Sequence, residues 1–128
     1  MGLDISVQKS KDTAILQCMT LEDSAVYWYL YQHFEKSNLH RLIDLYGYSE
    51  ICGRQLDPLI DKLREAERDI LAKPSKWLVL TGWKDVRKKE NEIREVLTRE
   101  EALQTVRSIL RLALDARRLD LHLISIGD

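Results

Sequence analysis

Few side chains in this 128-residue sequence could turn over a substrate: three histidines, His33, His40 and His122, and two cysteines, Cys18 and Cys52. Nucleophilic catalysis needs a thiol or hydroxyl with a base in reach and a third group that orients the base. Cys52 could meet His40 or His122 only through tertiary folding, because no local spacing joins them. A metal site from His33, His40 and Cys52 fares no better, since first-shell ligands come in tight pairs such as CxxC or HExxH. His33 and His40 would share a face only on a helix running unbroken through Asn38. His122 stands apart, because alternation sets it beside Ile124 and Ile126 on one face of an apolar segment. The plain reading there is a core histidine held by one carbonyl, and the sharper one is an acid or base of perturbed pKa. The five glycines form neither GxGxxG nor GxxxxGK(S/T), so no phosphate-cradling loop is indicated. We therefore assign no catalytic, cofactor-binding or metal-binding residue, and both cysteines read as reduced and buried.

The most distinctive stretch is Ser24 to Lys36, SAVYWYLYQHFEK. Val26, Tyr27, Leu30, Tyr31 and Phe34 fit the apolar stripe of one helix face, which is a little over 100° wide. Trp28 and Tyr29 fall outside that stripe, so either a second layer covers them or they anchor a contact surface. Interface anchors are enriched in Tyr, Trp and Arg. Trp28, Tyr29, Tyr46, Tyr48 and Trp83 form the expected partner-binding set.

Composition narrows the classes. Hydrophobic residues at 45% and charged residues at 32% are those of a folded globular chain. A formal net charge of -1 excludes long-range steering of polyanions or anionic membranes. Arg87-Lys88-Lys89 is the one basic run, but from Lys84 to Glu101 six basic residues face six acidic ones. Nucleic acid, whose binding requires a net excess of basic charge, is not an expected partner. No apolar stretch approaches the ~18 residues of a membrane span, and the N-terminus lacks a signal-peptide pattern. The chain reads as cytoplasmic.

The elements that must position these residues follow from period and capping. Leu3, Ile5 and Val7 alternate with polar residues as in a half-buried strand, and Thr13 to Met19 reads as its hairpin partner. Thr20, with Asp23 as the acidic member of a capping box, opens the aromatic helix. Residues 38–53 are ambiguous between a strand near Leu42 to Tyr46 and another helical turn. Asp57-Pro58 opens a second helix with the stripe Leu59, Ile60, Leu63, Ala66, Ile70 and Leu71. Trp77 to Thr81, apolar on both faces, reads as a central strand, and Lys84 to Glu92 as a loop or projecting hairpin. Ile93 to Leu97 is the returning strand, and Thr98 caps a third helix reaching Arg118, with the stripe Ala102, Leu103, Val106, Ile109, Leu110, Ala113 and Ala116. Leu119 to Ile126 is the last strand. The expected fold is a single α+β domain over residues 1–128, in which one mixed or antiparallel sheet of four to five strands carries about three helices. The first and third helices are expected to be neighbours.

These features predict a small non-enzymatic interaction protein of the stoichiometric-inhibitor, toxin-immunity or adaptor type. It would bind a protein partner, or a second copy of itself, through the aromatic helix, and no cofactor is called for. The alternative is a small enzyme or ligand-binding domain whose pocket lies near that helix, with Asp44, Tyr46, Tyr48 and His122 as its polar groups.

Overall fold

The computed structural model describes residues 2–37, 39, 44, 47–85 and 90–127, with the backbone alone at 83–85, 90 and 91. The expected strand near 42–46, His40, Tyr46 and the Arg87-Lys88-Lys89 run lie outside the described residues. The elements in chain order are β1 (Gly2–Gln8), β2 (Gln17–Glu22), α1 (Ala25–Glu35), β3 (Tyr48–Cys52), α2 (Leu56–Leu71), β4 (Lys76–Asp85), β5 (Glu90–Thr98), α3 (Arg99–Leu119) and β6 (His122–Gly127). The fold is α+β. Four antiparallel strands form a sheet in the order β2-β1-β6-β3, while among the described residues β4 and β5 pair only with each other.

Alternation decides which face of the larger sheet is covered. Leu3, Ile5 and Val7 of β1 lie on the inner face with Leu123 and Ser125 of β6, to which Val7 and Ile5 are paired. Ile5, Ile51, Leu123, Phe34 of α1, Leu59 of α2 and Ile109 of α3 close around one small space at the centre of the core. α3 lies along β1, β2 and β6, and α2 packs along α3. α1 touches α3, as expected, but its main neighbour is the β4–β5 hairpin.

Several boundaries differ from the sequence reading. The strand after β1 is Gln17–Glu22, and residues 13–16 are an exposed loop. Gln8 is the reason: its side-chain amide donates to the carbonyls of Ser10, Lys11 and Thr13 at 3.1, 3.3 and 2.8 Å, gathering the chain into a compact turn before pairing resumes. Thr20 is therefore a strand residue, donating its hydroxyl to Asp4 at 2.7 Å. The aromatic helix starts later, with Ser24 at its N-cap. Burial of Leu21 on the inner face keeps the chain extended through Glu22.

α2 begins at Leu56, after a single 3-10 turn over Gly53–Gln55. Gly53 makes that turn at φ 58°, a conformation open to glycine. Asp57 is thus inside the first turn rather than a cap, and Pro58 follows where its missing N–H has no intrahelical acceptor. The stripe Leu59, Ile60, Leu63, Ala66 and Ile70 is buried as expected, and Leu71 is exposed. Thr98 caps α3 by accepting a hydrogen bond from the Glu101 N–H at 3.2 Å.

Trp77 to Thr81 is not a central strand. It belongs to β4 of the two-stranded hairpin, which carries a register shift at Leu80 and Gly82. One face, bearing Val79 and Leu97, is buried, whereas Leu78 and Val96, paired across the other face, are 57% and 58% exposed. Among the described residues no helix is long and apolar enough to cross a membrane.

Candidate binding cleft between the first helix and the hairpin

α1 carries aromatics on every side, and the hairpin supplies the second layer that some of them require. Tyr29, only 6% exposed, meets Trp77 of β4 edge to face at 5.7 Å between ring centroids. One helical turn on, His33 packs edge-on against Tyr29 at 4.8 Å. Both reach Asp69 of α2: the Tyr29 hydroxyl donates to Oδ2, and His33 Nε2 lies 3.4 Å from the same oxygen. Lys73, near the end of α2, sits 5.8 Å above the Trp77 ring. With Lys36 and Arg94 these residues line an open groove of about 440 Å³.

The electrostatics of this group follow from its packing. Burial, reinforced by the neighbouring Asp69 carboxylate, pushes the Tyr29 phenol far above its usual range, so it stays a proton donor. Burial lowers the His33 pKa, and the attraction of Asp69 recovers only part of that. Burial alone would raise Asp69. The Tyr29 hydrogen bond, Lys73 and His33 outweigh it and hold the carboxyl below its ordinary value. Near neutral pH the group is a charged carboxylate fixed between a phenol and an imidazole. Such a carboxylate ties α1 to α2 and is a poor proton acceptor for catalysis.

A second half of the cleft continues along the same helix. Trp28, Tyr31, Gln32, Glu35, Leu80, Thr81 and Gly82 line a space of about 380 Å³. Trp28 and Tyr31 form its aromatic wall, with ring centroids 5.8 Å apart. The Trp28 indole N–H donates to Asp23 at 2.9 Å, which fixes the ring over the cleft. Gln32 and Leu80 line both halves, so the two spaces adjoin.

The three expected anchors whose side chains are described, Trp28, Tyr29 and Tyr48, lie in different places. Trp28 is half-buried in the cleft wall, and Tyr29 is buried beneath the hairpin. Tyr48 is exposed on the outer face of the four-stranded sheet, where its hydroxyl donates to Glu50 at 3.0 Å and Lys11 lies 5.1 Å from its ring centroid. Tyr46 lies outside the described residues. The backbone of Trp83 pairs with Glu92, and its side chain lies outside the described residues.

Of the alternative pocket residues, two come together. His122 Nδ1 is 2.7 Å from Glu50, so Tyr48 and His122 come together around Glu50, while Asp44 is exposed. His122 and Tyr48 together hold the Glu50 carboxyl below its ordinary range. Cys52 sits opposite His122 in register, half-exposed, and its backbone N–H donates to Gln55 Oε1 at 3.2 Å. Cys18 is exposed. Neither cysteine is buried in the way expected. Both lie on the polar outer face, which alternation assigns to them once β2 is taken in its observed register.

His33, Asp69, Lys73, Lys36 and Arg94 are absent from the expected site. The Tyr29 and His33 spacing, one turn apart and off the core stripe, was the available signal. Among the described residues no three His, Cys, Asp or Glu side chains gather as metal ligands. Compared with known proteins, the chain matches no family model, no curated protein and no solved structure.

Proposed function

We propose that this protein is a non-enzymatic interaction module that holds an extended segment of a protein partner in the cleft between α1 and β4. The observation that carries this reading is that an aromatic half, walled by Trp28 and Tyr31, adjoins a half lined by Lys36, Lys73 and Arg94. A half-buried Trp already fixed by a hydrogen bond loses little side-chain freedom on binding, the economy that makes aromatic anchors effective. The lowered pKa of Asp69 speaks against general-base catalysis in the same cleft. We place the module in the cytoplasm, where its two free cysteines keep their thiols.

Gly82 provides the test. It lines the aromatic half, and a Cβ added there meets nothing within 4 Å, so Gly82→Leu adds bulk at the cleft from a position where the first added carbon is unobstructed. A displayed library of random linear peptides should enrich binders on the wild-type domain. Those binders should lose about thirtyfold or more in affinity on Trp28→Ala, as for truncation of a hot-spot aromatic, and be excluded by Gly82→Leu at unchanged melting temperature. Binders indifferent to both substitutions would overturn the reading. Concentration-dependent dimerisation in sedimentation, abolished by Gly82→Leu, would replace the foreign partner with a second copy of this chain.

A further inference from the structure

We infer that the segment held in this cleft carries acidic side chains three or four residues from its apolar anchor, seated among Lys36, Lys73 and Arg94. This rests on the cleft reading above and names the chemistry of its occupant. The two halves of the cleft differ in charge. Among the described residues the Trp28 half contains Glu35 and no cation, whereas the Trp77 half contains three cations and one carboxylate, Asp69. That carboxylate is already engaged by the Tyr29 hydroxyl and by His33. Arg94 bonds Glu92 at 2.6 Å on the exposed hairpin, a pair that solvent weakens and an incoming carboxylate can replace. Lys73 lies over the Trp77 ring, 5.8 Å from its centroid, and lines the groove.

The spacing comes from β4. Gly82 marks the aromatic half and Leu78 the basic half, four residues apart in the strand. At roughly 3.3 Å per residue they are separated by about 13 Å, shortened slightly by the register shift. An extended ligand lying along β4 has the same rise, so its apolar anchor and its acid are separated by the same count. Glu35 repels an acid at the Trp28 end, which fixes the order of the two features along the cleft.

Two synthetic peptides distinguish this from the parent reading: acetyl-Leu-Ala-Ala-Asp-Asp-amide and its Asn-Asn counterpart, titrated while observing the Trp28 indole N–H by NMR. The acidic peptide should bind about tenfold tighter at low salt, and the preference should shrink as salt screens the exposed charges. Lys36→Gln and Lys73→Gln should each remove about threefold of it, the scale of one exposed ion pair, without changing the affinity of the Asn-Asn peptide. Equal binding of both peptides, blocked by Gly82→Leu, would overturn the acidic assignment and leave the cleft reading standing. An acidic preference that survives the double lysine substitution or Gly82→Leu would place the acid elsewhere and overturn it too. Binding of N-acetylaspartate as tightly as the peptide would make this a small-anion site instead. Binding of neither peptide would remove the cleft reading and this inference together.

Discussion

His33 and Asp69 give the protein a two-step response to acid. The folded pKa of His33 is below its ordinary value of 6.5, so in that interval the unfolded chain binds more protons than the folded one. The contribution of a neutral, packed His33 is complete above about pH 6.5 and is lost as pH falls through the folded value. Asp69, also lowered, adds a second loss beginning below its ordinary 3.8, in the same range as those of Glu50 and Asp115. Denaturant melts between pH ~7.5 and ~3 should show both declines, and His33→Gln should flatten the upper one. Tyr29→Phe should cost about 1.5 kcal/mol or more, as expected for a partly buried hydrogen bond to a carboxylate. It should also move the Asp69 carboxyl upward in an NMR titration. Half of this cluster was legible, because Tyr29 and His33 are one helical turn apart. The other half was not, since Asp69 lies forty residues from Tyr29 in sequence and only the packing of α2 on α1 joins them. The same holds for Glu50, seventy-two residues from His122.

At the scale of elements, what is local was legible and what is tertiary was displaced. The Thr98 cap and the α3 stripe depend on residues within a few positions of each other, and both stand where period and capping place them. Thr98→Ala should cost about 0.5 to 2 kcal/mol in denaturant melts. Asp57→Ala should cost less than about 1 kcal/mol, because Asp57 forms only an exposed ion pair with Arg117 at 3.0 Å and caps nothing. Thr20 and Asp23 imitate a capping box, yet Leu21 needs the inner face of the sheet and draws Thr20 into β2. Propensity yields to burial there. Phe34, at 0% exposure, joins α1 to the centre of the core, and Phe34→Ala should lose about 3 to 5 kcal/mol.

In the whole molecule the hairpin is a separate ladder resting on α1, and its stability is set by that contact rather than by pairing with the larger sheet. Isolated two-stranded hairpins are marginal in water. Amides of β4 and β5 should therefore exchange with deuterium before those of β1 and β6, through openings that leave the four-stranded sheet intact. Uniform protection across both sheets would contradict this. The α+β class was legible from the alternation of β1 and the three helical stripes. The division into two sheets was not, because period 2 identifies a strand and is silent about which strand it pairs with. The strand order has one further consequence. β6 lies between β1 and β3, and among the described residues it is the ladder partner through which β3 joins the sheet. While the chain is being synthesised, β1 and β2 can pair long before residues 122–127 leave the ribosome, whereas α3 emerges only just ahead of them. Until they do, β1 presents an open edge and β3 has nowhere to dock, so a nascent chain stalled before His122 should stay protease-sensitive and depend on chaperones to keep that edge from other strands.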